Sequence, residues 1–259
     1  MLTAITRAVS PALANCELSF ISRTPIDLRK ARQQHGAYEQ LLEKLGARVL
    51  SLPAEPDLPD SMFVEDPAIV LDEVAVVFPL GTATRRAEVG SLVPVLANFR
   101  KLEYVALPGT LEGGDVLRIG RKLFVGLTRR SNAEGIRELT QILAPYGYEV
   151  ISVPVTGCLH LKSAVTYLGK QKGRDTLLAN KGWFDNAALA SYDFIEVDPS
   201  EPHAANALGL GGTVILPASF PKTRAAVEAG GFHVTPLDIS ELQKAESGLT
   251  CSSLLFDAP

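Results

Sequence analysis

Near its end the chain reads Gly248-Leu249-Thr250-Cys251-Ser252-Ser253-Leu254-Leu255-Phe256, a lone cysteine followed almost at once by an apolar run. Working back from Cys251, a polar residue stands before a strand-like segment about every 46 residues, at Asn206, His160, Glu112 and Asp66. A repeat of this length indicates repeated supersecondary units, and the chain has room for five. If the units form a ring, the five positions meet at its axis, which predicts one pocket with a thiol, an imidazole and two carboxylates.

Each interval between these positions has the pattern of two strands, a helix and a third strand. Residues 68–78 and 116–127 each predict a hairpin, because apolar runs flank a short turn. A strand over Tyr104–Leu107 is expected after the first hairpin. A helix is expected after the second, starting at Ser131-Asn132-Ala133-Glu134, which has the spacing of a capping box. In the fourth unit a short helix is expected near Trp183–Ser191.

The two ends of the chain are predicted to complete the ring together. One strand is left after Cys251, and the strand Leu2–Val9 has no helix before it, so pairing of the two would remove free sheet edges. Residues 10–33 form an irregular stretch, and a loop of this length is uncommon unless it is a lid or is disordered. The helix Gln33–Leu45 follows. The sequence therefore predicts the α/β class and a single domain over residues 1–259.

Composition narrows the functional classes. The chain has 259 residues, of which 46% are apolar and 21% charged, with a net charge of −4. These values are ordinary for a soluble globular protein and lack the basic excess of nucleic-acid binding. No apolar run approaches the roughly 18 residues of a membrane span, and the N-terminal residues lack the apolar core of a secretory signal. We therefore expect no nucleic-acid or membrane partner and a cytoplasmic location.

The three cysteines predict neither a disulfide framework nor a zinc site. Their number is odd, and Cys16, Cys158 and Cys251 form no close pair. His160, Cys158 and Cys251 also lack the short ligand spacings of structural metal sites, so a metal site is the weaker interpretation. Taken alone, a buried cysteine or histidine beside an apolar run usually belongs to the core.

The carboxylates point to chemistry rather than to packing. Glu112 and Asp66 stand next to apolar strands, where a carboxylate is seldom buried without a partner. Gly113-Gly114 directly after Glu112 suggests a close backbone approach. A thiol and an imidazole are a possible nucleophile and acid–base pair, and carboxylates suit the five fixed donors of a guanidinium. Together they favour attack on the central carbon of a guanidinium substrate.

Six short motifs resemble, in order and spacing, those of the dimethylarginine dimethylaminohydrolase family: Phe63-Val64-Glu65-Asp66, Glu112-Gly113-Gly114-Asp115, Ser131-Asn132-Ala133-Glu134-Gly135, Leu159-His160-Leu161-Lys162-Ser163, Ala204-Ala205-Asn206 and Leu249-Thr250-Cys251-Ser252-Ser253. The resemblance extends from about Gln34 to Phe256. It implies the guanidino-group-modifying superfamily and a five-bladed α/β propeller of ββαβ repeats. It also implies hydrolysis of Nω-methylated arginine to citrulline and an alkylamine through a covalent cysteine thiouronium intermediate, without metal or cofactor.

The resemblance implies catalytic roles for three residues. Cys251 would be the nucleophile. His160 would protonate the leaving amine and then activate water, and Glu112 would orient His160 and contact the guanidinium. The small-molecule guanidino substrate would be the partner of a monomer or a homodimer.

Substrate-binding roles are implied for Asp60, Phe63, Glu65, Asp66, Arg85, Arg130 and Leu18. Asp66 would bind the guanidinium nitrogens with Glu65 as its support. Arg85 and Arg130 would hold the substrate α-carboxylate, with Arg86 and Arg129 as the neighbouring choices. Asp60 would meet the amino group, and Leu18 would lie on the lid.

Two alternatives differ in substrate or in class. Arginine deiminases resemble this chain at Glu-Gly-Gly-Asp and at the terminal cysteine, but usually place an aspartate two residues after the histidine, where this chain has Lys162. The missing carboxylate leaves room for methyl groups, and the chain lacks the large helical insertion typical of deiminases. Both features favour a methylated substrate over unsubstituted arginine. They do not separate dimethylarginine from monomethylarginine or from another Nω-substituted guanidine, so a deiminase-like hydrolase of another guanidino substrate is one alternative. A non-catalytic propeller that acts as a binding module would instead lack the reactive residues.

Overall fold

The computed structural model describes residues 1–258. This part of the chain forms fifteen strands: β1 Leu2–Arg7, β2 Arg48–Leu52, β3 Ala68–Val70, β4 Val74–Val77, β5 Lys101–Tyr104, β6 Val116–Ile119, β7 Lys122–Leu127, β8 Glu149–Pro154, β9 Val165–Gln171, β10 Arg174–Ala179, β11 Asp193–Glu196, β12 Leu208–Leu210, β13 Thr213–Pro217, β14 His233–Leu237 and β15 Leu254–Asp257. The same part has six α-helices: α1 Leu28–Lys44, α2 Val89–Leu96, α3 Ala133–Leu143, α4 Leu161–Ala164, α5 Pro221–Ala229 and α6 Ser240–Gln243. None of these helices has the length and apolar character needed to cross a membrane.

The strands form five separate three-stranded sheets, here called blades. Their strand orders are β15-β1-β2, β3-β4-β5, β6-β7-β8, β9-β10-β11 and β12-β13-β14. In every blade the first strand is antiparallel to the second, and the second is parallel to the third. A parallel pair needs a crossover connection, which the helices supply in four of the described blades. The predicted α/β class and the five-bladed arrangement are confirmed.

The first blade is built from both ends of the chain. β1 pairs with β15 from Leu2 opposite Asp257 to Ile5 opposite Leu254, and with β2 on its other side. The amino group of Met1 also donates to the carbonyl of Ala258 at 2.8 Å. The predicted pairing that closes the ring is therefore present.

The apolar core lies in clusters that join neighbouring blades. One cluster joins Val76 in β4 to Val125 in β7 and to Leu139 of α3. Another joins Ile5 in β1 to Ala75 in β4 and to Leu254 in β15. The middle strand of each blade is buried over most of its length. A strand that is buried on both faces appears in the sequence as a mainly apolar run, which is why such strands could be predicted.

Four predictions about the helices and strands are wrong. Helix α1 begins at Leu28 and not at Gln33, because Asp27 accepts hydrogen bonds from the amides of Arg29 and Lys30 at 3.0 and 3.1 Å. The third strand of the second blade is Lys101–Tyr104, three residues earlier than expected, because it pairs with β4 in parallel register.

The other two concern helices. Asn132, and not Ser131, caps α3, with its side chain accepting from the amide of Gly135 at 2.8 Å. The helix expected near Trp183–Ser191 is instead two short 3-10 turns, Lys181–Trp183 and Ala187–Leu189. The crossover of the fourth blade is therefore the irregular one.

Candidate active site

The repeating polar positions all lie just before the first strand of a blade. Asp66 precedes β3, Glu112 precedes β6, and His160 directly precedes α4, which leads into β9. Asn206 and Cys251 stand in the same way before β12 and β15. Atoms of Asp66, Glu112 and His160 lie within 4.8 Å of one another. The ring therefore brings together side chains that are far apart in the sequence.

Glu112 and His160 form a buried pair. Nε2 of His160 lies 2.6 Å from Oε2 of Glu112, and both residues are almost fully excluded from solvent. Burial opposes the charge of His160, but the surrounding carboxylates raise the pKa of its imidazole to about 9. Burial opposes the charge of Glu112 as well, but the hydrogen bond and charge of His160, with two nearby arginines, lower the pKa of its carboxyl to about 2. The pair therefore holds a proton on the imidazole at neutral pH.

The close backbone approach predicted at Gly113-Gly114 is confirmed. A Cβ atom on Gly114 would lie 2.6 Å from Nδ1 of His160 and 3.0 Å from Oδ1 of Asp66. The amide of Gly114 donates to that Asp66 oxygen at 3.2 Å. The absence of a side chain at this position lets the imidazole and the carboxylate lie against the same peptide.

Asp115 supports the Glu112–His160 pair through hydrogen bonds, a role that was not predicted from the sequence. Its carboxylate accepts from the hydroxyl of Ser131 at 2.6 Å and from the amide of Leu161, the residue after His160, at 2.9 Å. Ser131 in turn accepts from the amide of Glu112 at 3.0 Å. Ser131 is thus used inside the site and is not available to cap α3. A buried carboxylate one residue beyond a Gly-Gly pair was the signal that could have identified it.

Arg85 forms ion pairs with two buried carboxylates, those of Asp66 and Glu88. Its guanidinium donates to Oδ2 of Asp66 at 2.9 Å and makes two hydrogen bonds of 2.9 Å to Glu88. It also lies 3.9 Å from Oε2 of Glu112. Burial opposes the charge, but the facing carboxylates raise the pKa of Arg85 well above its ordinary value. Arg86 instead donates to the carbonyl of Leu80, so Arg85 is the arginine that faces the site.

Arg130 joins the site to the N-terminal segment. Its guanidinium donates to Oε1 of Glu112 at 3.3 Å and to the hydroxyl of Ser19 at 3.3 Å. Arg130 is buried, whereas Arg129 is exposed. Both arginines expected from the sequence therefore reach the site.

Residues 10–27, here called the strap, pass over the site between β1 and α1. The amide of Glu17 donates to both oxygens of Asp60, at 3.1 and 3.3 Å. The amides of Ser19 and Phe20 donate to the carboxylate of Glu246, at 2.7 and 2.9 Å. Leu18 and the buried Phe63 belong to one apolar cluster with Tyr38 and Leu249.

Leu18, the residue expected on the lid, lies in the strap, which is held by hydrogen bonds to Asp60 and Glu246. Phe63 lies in the apolar cluster, and Asp60 contacts the strap backbone. Their expected roles toward substrate stay predictions.

Cys251 lies half-buried in the 3-10 turn Thr250–Ser252. Its sulfur accepts from the amide of Gly248 at 3.4 Å. Burial, with the charges of Glu65 and Asp66, raises the pKa of the Cys251 thiol to about 12. The resting group is therefore a thiol, and a cation close by would favour its thiolate. Cys16 and Cys158 are free and buried.

A cavity of about 350 Å³ lies between the strap and the fifth blade. Its lining includes Phe20 and Phe220, and it reaches Leu159, Asn206 and Gly248, neighbours of the reactive side chains. A space of this size matches a small organic ligand.

Asp66, Glu112 and His160 also have the side-chain types of a metal site. Two guanidinium groups, those of Arg85 and Arg130, already lie against these carboxylates. Their positive charges oppose binding of a divalent cation at the same atoms.

Comparison with known proteins points to the same family that the sequence motifs indicated. A family model described as arginine deiminase matches residues 54–161. The N(G),N(G)-dimethylarginine dimethylaminohydrolase of Pseudomonas aeruginosa is 33% identical over 232 residues, covering 89% of this chain and 90% of that protein. The protein of the same name from Streptomyces coelicolor is 36% identical over 252 residues, covering 97% of this chain and 95% of that protein.

The chain belongs to the dimethylarginine dimethylaminohydrolase family. A solved dimethylarginine dimethylaminohydrolase from Pseudomonas aeruginosa, a cysteine-to-serine variant complexed with citrulline, is 31% identical and superposes with a TM-score of 0.92. The superposition covers 99% of this chain and 100% of that chain. The resemblance seen in the sequence motifs is therefore confirmed.

In this member of the dimethylarginine dimethylaminohydrolase family, Lys162 and Glu65 form a pair that was not predicted from the sequence. Lys162 was interpreted there as the replacement of a deiminase aspartate that would face the substrate. In the structure its ammonium instead forms a short ion pair with Glu65. Glu65 also accepts from the hydroxyl of Thr250 at 2.8 Å, directly beside Cys251.

Proposed function

We propose that this chain hydrolyses Nω-methylated arginine, asymmetric dimethylarginine and monomethylarginine, to citrulline and an alkylamine. The observation that carries the proposal is the buried Glu112–His160 pair at 2.6 Å, with an atom of Asp66 within 4.8 Å of it. The carbonyl of Cys251 accepts from the amide of Glu65, the residue before Asp66, at 3.4 Å. A protonated imidazole beside carboxylates suits the binding of a cation and the release of an amine. The citrulline bound by the related solved structure supports the same product.

The guanidinium would be held by the carboxylates of Asp66 and Glu112. Carboxylates match the planar donors of a guanidinium with charge-assisted hydrogen bonds. Arg85 already occupies Oδ2 of Asp66, which leaves its Oδ1 side facing Gly114 and His160. We expect Arg85 and Arg130 to supply the positive charge for the substrate α-carboxylate, and Asp60 to meet its amino group.

Binding of the substrate cation would convert Cys251 into the nucleophile. Its thiol pKa of about 12 is set by burial and by neighbouring carboxylates, and the charge of a bound guanidinium offsets those carboxylates and favours the thiolate. The thiol proton leaves to solvent as the cation enters. The thiolate sulfur then forms a bond to the guanidinium carbon.

His160 would carry the proton in both halves of the reaction. Because its pKa is raised to about 9, it is protonated at neutral pH and donates to the departing alkylamine as the carbon–nitrogen bond breaks. The neutral imidazole then takes a proton from water, whose oxygen attacks the thiouronium carbon. Cleavage of the carbon–sulfur bond returns the thiolate, the remaining hydroxyl proton passes to solvent, and citrulline is released. General acid–base catalysis of this kind contributes about 10²–10⁴-fold.

Unsubstituted arginine is the second candidate substrate. The match of residues 54–161 to the arginine deiminase model is the observation in its favour. The cytoplasmic location and the monomeric or homodimeric state stay predictions.

Citrulline formation from arginine, monomethylarginine and asymmetric dimethylarginine, each offered separately, tests the proposal. We expect turnover of the two methylated substrates, complete loss in Cys251→Ser, and retention in Cys16→Ser, which removes a buried thiol in the apolar cluster. Turnover of arginine at comparable efficiency would move the assignment to a deiminase. No turnover of any of the three by folded protein would refute the substrate.

A further inference from the structure

Lys162 is a partly buried lysine that the proposed mechanism does not use. It lies in α4, two residues after His160, and its side chain is only 15% exposed. It lines a second cavity, of about 590 Å³, that runs along the inner strands β3, β6, β12 and β15. The first cavity, beneath the strap, does not include it. Lys162 therefore approaches the axis from the side away from the strap.

The ammonium of Lys162 is joined to the nucleophile through two residues. It pairs with Oε1 of Glu65, whose side chain is 8% exposed. The other oxygen, Oε2, accepts from the hydroxyl of Thr250 at 2.8 Å, and the amide of Glu65 donates to the carbonyl of Cys251 at 3.4 Å. Asn206 fastens Thr250 from a third side, accepting from its amide at 3.0 Å and donating to its hydroxyl at 3.1 Å.

The same pair sets the charge behind the thiol. The charged side chains with the largest effect on the Cys251 thiol are Glu65, Asp66 and Lys162, and the hydroxyl of Tyr38 also lies near it. Tyr38 is neutral, because burial raises its pKa above the ordinary value. Without the lysine, a buried carboxylate would stand uncompensated next to the sulfur, a costly arrangement that also opposes a thiolate.

We propose that Lys162 is a positioning residue for Cys251: its ammonium fixes Glu65 against Thr250 and offsets the negative charge of Glu65 behind the sulfur. The inference rests on the proposed role of Cys251 as nucleophile. A solvated surface lysine would explain neither its burial nor the chain of contacts that ends at Thr250.

The test measures the reactivity of the Cys251 thiol, so it does not depend on turnover of any substrate. The rate of alkylation by iodoacetamide is followed against pH in a Cys16→Ser/Cys158→Ser background, which leaves Cys251 as the thiol. We expect Lys162→Met to move thiolate formation to higher pH and to slow alkylation near pH 8 by about tenfold, the effect of one pKa unit. Lys162→Arg, which keeps the charge, should stay close to the parent.

A double variant that lacks both charges separates the electrostatic effect of Lys162 from its effect on packing. Glu65→Gln added to Lys162→Met removes both charges and should return alkylation to within about threefold of the parent rate. Alkylation of Lys162→Met at the parent rate would overturn the proposal, and so would a double variant as slow as Lys162→Met alone. If Lys162→Met does not fold, Glu65→Gln alone decides: it should speed alkylation, and an unchanged or slower rate would overturn the proposal.

The outcome is distinguishable from failure of the proposed function. A chain that fails to turn over methylated arginines but shows the charge-dependent alkylation would lose the substrate assignment and keep the lysine inference. A chain that turns over the substrates but alkylates independently of Lys162 would do the reverse.

Discussion

Gly114→Ala is expected to lower kcat about 100-fold while the protein stays folded. The new Cβ would lie 2.6 Å from Nδ1 and 2.8 Å from Cγ of His160, whereas ordinary contacts are 3.4–4 Å. The imidazole must therefore move by about 1 Å, and a misplacement of that size in a catalytic group costs about 10²-fold. The ring has little freedom to adjust elsewhere, because its other nitrogen is held 2.6 Å from Glu112.

The assay compares citrulline formation and thermal unfolding for the parent and two variants. Gly36→Ala is the matched control, since a Cβ there meets no heavy atom within 4 Å and the residue lies inside α1. It should leave kcat unchanged and raise the unfolding temperature slightly, because alanine favours a helix interior by about 1 kcal/mol over glycine. Overpacking at Gly114 should cost about 1–3 kcal/mol of stability. A folded Gly114→Ala protein with kcat within threefold of the parent would refute the assigned position of His160.

Two further predictions concern the strap and the acid–base pair. The carboxylate of Glu246 accepts hydrogen bonds from the amides of Ser19 and Phe20. Its backbone is left-handed, with a φ of 58°. Because Glu246→Ala removes the carboxylate, it should free the strap, raise KM several-fold and speed proteolysis of the strap. Unchanged KM and cleavage would contradict this, and Glu246→Gln should be intermediate. The pKa of His160 is raised from 6.5 to about 9, so the stability it contributes is complete below pH 6.5 and lost as pH rises through 9. In urea unfolding, the difference between the parent and His160→Gln should therefore shrink over that interval, and a difference independent of pH would count against the buried ion pair with Glu112.

The architecture and the proximity of Asp66, Glu112 and His160 were predictable because one periodic signal specified both. Buried strands repeat as apolar runs, and these three residues each stand shortly before the first strand of a blade. A spacing in the sequence thus translated directly into proximity, as Glu112 and His160 show. The antiparallel partner of β1 followed from the same count of strands.

What the sequence could not predict depends on competition between partners. Ser131 has the chemistry of a helix cap, but Asp115 takes its hydroxyl, and Asn132 caps the helix instead. Lys162 has the spacing of a substrate-facing residue, but the nearby Glu65 takes its charge. Local propensity gives each side chain several possible partners, and tertiary packing chooses among them.

The first blade is also expected to form at a different stage of folding from the other four. The second to fifth blades each form from contiguous segments, so their loops close at a modest entropic cost. The first blade instead requires β1 to pair with β15, and these two strands lie at opposite ends of the described chain. Pairing across so large a separation in sequence is slow. We therefore expect the segment that carries the thiol to order last. A molecule with four formed blades would hold His160 and Glu112 in place and still present no nucleophile.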